Sequence, residues 1–499
     1  CWPQSSSCRA VISEHGVAIS DPTHAVVACP DPSLLTTQTH SDPTRPPCDQ
    51  TISHQIYTGS RREQSEHVEI ITIPGRNPSL TPYRPAIDVL PEHILPPVPP
   101  FDSVLMAEVF MKQLNSGLTA LPTTIFTQMS ALSREHNSIN LGQGFPDTEG
   151  PADMIEAACS ALHSGNNQYA PLTGLPELRT AVAENNARFY GLDINPDKEV
   201  IVTSGATEAL AASLAALLNP GDEIIVLEPA YDTYLPFIRL LGAIPKLVRL
   251  SLPDWSLPRD SLKQAFSSET KAILLNSPMN PNGKVFTAEE LAFIASLVKE
   301  YDAYAICDEV YEHLTFGHRH IPLMTLPDMR DRCIRIGSAG KSFSFTGWKV
   351  GYITASEHLT PTIAKAHQNL AFSTAPALQH AVACGLQKDN AYFKTLAADM
   401  QLRRDILVKG LTEIGFKALP CDSTYFVTAD ISALTDEDDL SFCLRMTAEA
   451  GVTLIPVSAF YDPSSGPAPN HYVRFAFCKQ PALLEEALHR LRVWLRPEA

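Results

Sequence analysis

The chain has 499 residues, 44% of them hydrophobic and 19% charged, the balance of a globular protein with ample length to bury a core. Its 38 Lys and Arg against 55 Asp and Glu give a formal charge of −17, so a nucleic-acid or anionic-membrane partner has no electrostatic support. No stretch approaches ~20 uninterrupted apolar residues, so no transmembrane helix is expected.

Sixteen of the 41 prolines lie in the first hundred residues, including five between Pro91 and Pro100. Apolar periodicity is weak there, and residues 1–104 read as a low-complexity, disordered or polyproline extension ending in a stiff linker. The chain opens on Cys1, which reads as a fragment or a processed product. A transit peptide is one reading of the extension, but such segments are poor in acids, and Glu14, Asp21, Asp31, Glu63, Glu66 and Glu69 count against it. The expected compartment is the cytoplasm, or a mitochondrion or plastid if the extension is a transit peptide. The 11 cysteines are scattered with no metal-ligand spacing, so free thiols and no metal site are expected.

From about residue 152 apolar runs of strand length alternate with helical patterns. The expected strands are Glu199–Thr203, Glu223–Leu227, Lys271–Leu275, Ala303–Cys307 and Cys333–Ile336. Between them lie helices at Leu175–Tyr190, Ala206–Leu218 and Ala288–Tyr301, the last opening on a capping box of Thr287 and Glu290. That rhythm predicts an α/β fold, a mostly parallel sheet between helices. After about residue 390 a long helix (Ala391–Ile414), strands at Tyr425–Ala429 and Tyr472–Phe477 and a final helix (Ala482–Leu495) predict a smaller α+β domain.

Ligands of open α/β sheets sit beyond the carboxyl ends of the strands, so those ends carry the chemistry. The first runs into Ser204-Gly205-Ala206-Thr207, small residues that let helix N–H groups approach a phosphate, although such turns are common without one. The second ends near Tyr231, either core packing or an aromatic for a planar ring. The third leads to Asn280 in an Asn-Pro-Asn-Gly turn, a neutral amide suited to a phenolate oxygen. The fourth ends in Asp308-Glu-Val-Tyr311, where the carboxylate is either a solvated loop residue or the partner of a cationic ring nitrogen. The fifth gives Gly337-Ser-Ala-Gly-Lys341, and desolvation among small residues would favour the nucleophilic neutral amine of that lysine.

In this order these stretches resemble the pyridoxal phosphate (PLP) aminotransferases of fold type I, above all the subgroup of kynurenine–oxoglutarate (glutamine) transaminases and bacterial methionine aminotransferases. Asn140–Asp147, Asn167–Gly174, Asn280–Phe286, Thr346–Gly351 and Tyr472–Phe475 match as well, so the resemblance spans roughly residues 105–499. It implies a small-domain N-terminal segment at 105–150, a large PLP-binding domain at 151–390 and a small C-terminal domain at 391–499. It implies that Lys341 holds PLP as a Schiff base and shuttles the proton. Asp308 would pair with the ring nitrogen, Asn280 and Tyr311 would bond the phenolic oxygen, and Tyr231 would stack on the ring. Gly205, Ala206, Thr207, Ser338 and Lys349 would bind the phosphate, with Tyr169 reaching in from the neighbouring subunit of a homodimer with shared active sites. Arg474 would clamp the substrate α-carboxylate, a fork lysine cannot supply, and Gly144 would bring backbone close to it.

The implied reaction is transamination between an L-amino acid and a 2-oxo acid. Phe372 would enter the side-chain pocket from the partner subunit. Ser373 follows it where some kynurenine transaminases carry His, which leans toward the methionine-preferring type. No second arginine stands out for a dicarboxylate, so large neutral substrates (methionine, glutamine, aromatic amino acids, kynurenine) are expected. Rivals on the same scaffold are a cysteine-S-conjugate or cystathionine β-lyase and an aminocyclopropane-carboxylate synthase. A non-catalytic PLP-binding regulator would need a basic helix-turn-helix module, and residues 1–104 carry no such pattern beyond Arg61-Arg62.

Overall fold

A computed structural model describes residue 112 and residues 114–495. The expected extension at 1–104, with its Pro-rich run and the transit-peptide reading, lies outside the described residues.

Strand β1 (Ile139–Asn140) precedes seven strands that build one sheet: β2 (Val200–Thr203), β3 (Glu223–Glu228), β4 (Ile244–Arg249), β5 (Thr270–Asn276), β6 (Tyr304–Asp308), β7 (Cys333–Ser338) and β8 (Gly351–Ala355). β9 (Lys417–Ala418), β10 (Phe426–Asp430), β11 (Val452–Thr453), β12 (Ile455–Pro456) and β13 (Tyr472–Ala476) follow. The large sheet has the order β2-β8-β7-β6-β5-β3-β4, and β8 alone runs antiparallel to its neighbours.

Its central strands are largely apolar because both faces are covered. Ile201, Ile224, Val226, Leu274, Ile306, Ile334 and Ile353 point into one core, while Val202, Ile225, Leu227, Leu275, Cys307 and Tyr352 point into the other. This is the period of two expected of a pleated strand. Each such side chain contributes roughly 1.5–3 kcal/mol by leaving water. The helices Ala206–Leu217 and Thr360–Leu370 pack on the first face, and Ala152–His163, Pro176–Tyr190, Ala288–Glu300 and Pro376–Leu386 on the second. The capping box at Thr287 and Glu290 is present with both hydrogen bonds.

The smaller antiparallel sheet has the order β12-β13-β10-β9, and β1 pairs parallel with β11. Helix Asn390–Ile414 packs along Pro481–Leu495. The five strands expected in the large sheet and the two expected in the smaller one are present within a residue or two of their expected bounds. β4 and β8 were not expected. β4 is an edge strand with Lys246 and Arg249 among its six residues and its faces only half-buried, and β8 opens on a glycine, so neither reads as a continuous apolar run.

β8 sets the register that matters. Gly351 stands opposite Thr203 on one side and Ser338 on the other, so the turns leaving β2 and β7 emerge level with each other. Asn276 stands opposite Asp308 in the same way.

Candidate active site

These ends, together with the start of the smaller sheet, enclose a cavity of about 460 Å³. Gly144, Gly205, Ala206, Thr207, Tyr231, Asn280, Asp308, Tyr311, Ser338, Lys341, Lys349 and Arg474 all line it. Tyr169 and Phe372, the other two residues singled out from the sequence, do not. They lie exposed, packed edge to face on each other at 5.2 Å between ring centroids.

One end of the cavity gathers groups that could hold an anion. The helix Ala206–Leu217 starts at Gly205, whose φ of +82° is open to glycine at little cost. A Cβ there would sit 3.0 Å from Lys349 Cε, and one on Gly351 would lie 2.7 Å from the Ala206 nitrogen. Glycine at both positions therefore lets Lys349 and the helix N-terminus draw together. Lys349 itself adopts a left-handed φ of +54°. The N–H groups of Ala206 and Thr207 have no acceptor among the described residues, as first-turn donors have none within their own helix.

Midway, Lys341 stands over the rings of Tyr311 and Tyr425, each 5.7 Å from its Nζ to the centroid. Burial lowers its ammonium to about 8; Lys349 and Arg474 add to the fall and Asp308 resists it. Asp308 is buried at the end of β6, and burial raises its carboxyl. Tyr234 opposes that rise by donating its hydroxyl to Oδ2 at 2.6 Å. Tyr231 lies edge to face on Tyr234 with centroids 5.6 Å apart.

Asn276 fixes the neighbouring turn. Its Nδ2 donates to the Asp308 carbonyl at 2.9 Å and its Oδ1 accepts the Asn280 N–H at 2.8 Å. The Asn280 side chain accepts from Arg474 Nη1 at 2.8 Å. A guanidinium only donates, so the oxygen of this amide faces Arg474 and its NH₂ is left for another acceptor.

Arg474, on β13, is 1% exposed. Besides Asn280 it bonds the Gly142 carbonyl through Nη2 at 2.6 Å, and its guanidinium lies 4.0 Å from the Phe426 ring centroid. It has no carboxylate partner among the described residues, and its Nε has no acceptor. Burial lowers it to about 10. Gly144 approaches because a Cβ there would meet Phe426 Cζ at 2.3 Å, and its carbonyl accepts the Tyr425 hydroxyl at 2.7 Å.

The cavity is also lined by Thr124, Phe126, Gln143, Phe145 and Asp232. Asp232 forms no ion pair among the described residues, and burial raises its carboxyl while Arg474 holds it down.

Behind Asp308, a buried cluster steadies the end of β6. Arg335 bonds Glu309 at 2.5 Å, Asn186 at 2.6 Å, and Glu312; His320 adds a 2.8 Å contact to Glu309. Burial alone would raise Glu312, yet Arg335 holds it at about 2. Removing one member of such a cluster would strand a buried charge.

Sequence reasoning assigned no role to Tyr234, Asn276, Asp232 or Phe426. Tyr234 was the findable one, standing one helical turn after Tyr231.

Comparison with known proteins agrees with this geometry. The sequence model of the family "Aminotransferase class I and II" matches residues 136–491. A probable N-succinyldiaminopimelate aminotransferase of Mycobacterium tuberculosis is 43% identical over 388 residues, 76% of this chain and 98% of the relative. Its kind has a solved structure with a TM-score of 0.75 at 42% identity, covering 77% of this chain and 100% of that one. The methionine aminotransferase of Escherichia coli is 40% identical over 76% of this chain and 97% of its own. Kynurenine–oxoglutarate transaminase 3 of Mus musculus is 38% identical over 76% of this chain and 89% of its own. The fold is that of the type I aminotransferases, and the chain belongs to the class I and II aminotransferase family and is an aminotransferase.

Proposed function

We propose that this aminotransferase holds PLP on Lys341 and moves the amino group of L-amino acids with large neutral side chains to a 2-oxo acid. The observation that carries the reading is Arg474: a buried guanidinium with no carboxylate partner and no acceptor for Nε among the described residues, sharing one cavity with a lysine whose amine burial has brought to about 8. A buried cation without a counter-ion fits an anionic ligand, and an amino acid brings its α-carboxylate.

The remaining residues fit the cofactor of this family. The Gly205 cradle, Ala206, Thr207, Ser338 and Lys349 would take its phosphate. Tyr231 would cover the ring, Asp308 would meet its nitrogen, and the free NH₂ of Asn280 with the Tyr311 hydroxyl would meet its phenolic oxygen. PLP, when bound, supplies an aldehyde that takes up the amino group and a ring that accepts the electron pair left at Cα. Asp308, whose rise on burial Tyr234 opposes, would sustain that capacity. Lys341 is the base placed to take the Cα proton and return it. Arg474 and the Gly142–Gly144 backbone orient the substrate carboxylate.

Two features favour neutral side chains: the aromatic lining of Phe126 and Phe145, and the Asp232 carboxylate, which opposes a second carboxylate. The relatives named for methionine and kynurenine support that preference, whereas the one named for succinyldiaminopimelate points to an acidic substrate; all three are named as aminotransferases or transaminases, which favours transamination over β-elimination. The exposed pair Tyr169 and Phe372 supports a homodimer in which each subunit completes the other's site.

A panel of amino donors assayed with pyruvate and with 2-oxoglutarate tests the reading. Lys341→Ala is expected to lose turnover and the visible absorption of bound PLP together. Wild-type transamination by that variant would overturn the assignment.

A further inference from the structure

The phosphate-binding turn carries an acid where an anion is to bind. Glu208 is the third residue of the helix Ala206–Leu217, and its Oε2 accepts the Ser204 N–H at 2.6 Å. A carboxylate at this place interacts favourably with the helix N-terminus but repels a phosphate held on the neighbouring Ala206 and Thr207 N–H groups.

The fully buried His367, on the helix Thr360–Leu370, answers that conflict. Its Nε2 lies 2.8 Å from the Leu172 carbonyl, which only accepts, so Nε2 carries a proton. Its Nδ1 lies 2.6 Å from Glu208 Oε1, so a second proton sits between those atoms. Two protons on one imidazole and one carboxylate leave no net charge, whichever atom holds the shared one. Ser204 Oγ and Thr374 Oγ1 at 3.0 Å tie the same turn to the segment after Phe372.

We propose that His367 is a positioning residue: it neutralises Glu208, so that this glutamate fixes the phosphate turn without repelling the phosphate. The proposal rests on the reading that the turn beside Lys349 binds the phosphate of PLP. His367 touches neither substrate nor cofactor on this view; it acts through Glu208.

The test compares PLP with pyridoxal, which lacks the phosphate, in spectroscopic titrations of the full chain after cofactor removal. His367→Gln leaves an uncompensated carboxylate and is expected to weaken PLP about tenfold or more and pyridoxal less than about threefold. Adding Glu208→Gln to that variant removes the carboxylate and is expected to restore most of the PLP affinity. Glu208→Gln alone can accept from Ser204 and donate to Nδ1, so it is expected to bind PLP within about threefold of wild type; it keeps the test open if His367→Gln does not fold.

Equal weakening of both ligands by His367→Gln would reduce His367 to a packing role and overturn the proposal. So would a double variant no better than His367→Gln, or a loss beyond about tenfold in Glu208→Gln alone. A wild-type chain that binds PLP no more tightly than pyridoxal would overturn the phosphate-site reading, and this proposal with it.

Discussion

Arg474 Nη1 and Asn280 Oδ1 meet at 2.8 Å, joining the middle of a small-sheet strand to a turn of the large sheet. One end of the Asn280 amide is spent on Arg474 and the other is left for another acceptor, so on the proposed reading the arginine assigned to the substrate carboxylate also orients the amide assigned to the cofactor ring. Arg474→Lys cannot keep Asn280 and Gly142 while offering a fork. Its kcat/KM for the amino donor is expected to fall about 100-fold or more with PLP still bound. Steady-state kinetics beside the absorption spectrum check both halves.

Tyr234→Phe deletes the 2.6 Å bond to Asp308 with little change of shape. That bond lowers the Asp308 pKa against burial, so its loss lets the carboxyl rise further. The acid limb of the kcat profile is expected to move to higher pH, with kcat down about tenfold at neutral pH. A profile coincident with wild type would show that Tyr234 does not control Asp308.

Lys341 titrates near 8 in the chain without cofactor, below the usual 10.5, with burial as the main cause. Only the neutral amine attacks an aldehyde. The rate of PLP capture is therefore expected to rise as pH passes upward through about 8 and then level, instead of climbing on toward 10.5. Stopped-flow absorbance on stripped protein measures it.

Asp232→Asn removes the unpaired carboxylate from the cavity lining. Relative kcat/KM for glutamate or aspartate over methionine is expected to rise by about fivefold or more, the size of a relieved like-charge contact in a partly wet site. A ratio unchanged by the substitution would remove Asp232 from substrate choice.

The strand ends were legible because each brings its cavity-lining residue at a fixed place in a local pattern, an apolar run and then a polar residue that has no reason to be buried. Asp308 and Lys341 stand out in this way. Tyr234, Asn276 and Glu208 did not, because their roles arise from partners brought close by the sheet order and the helix packing. The bond from Tyr234 to Asp308 crosses from the segment after β3 to the end of β6. The Arg335 cluster gathers residues from β7, the turn after β6 and the helix Pro176–Tyr190, and an isolated arginine in an apolar run gives no sign of which acids will meet it. β4 and β8 were missed because an edge strand and a glycine-led strand need only part of the apolar signal that a central strand needs.

β2 is the first strand of the large sheet to leave the ribosome, and its partner β8 is the last. In the finished sheet Gly351 lies between Thr203 and Ser338, so it is the pairing of β8 that brings Lys349 beside the Gly205 turn. If that turn is the phosphate cradle proposed above, it is completed by the closing stitch of the sheet, and cofactor uptake during synthesis would time-stamp the moment the large sheet is whole.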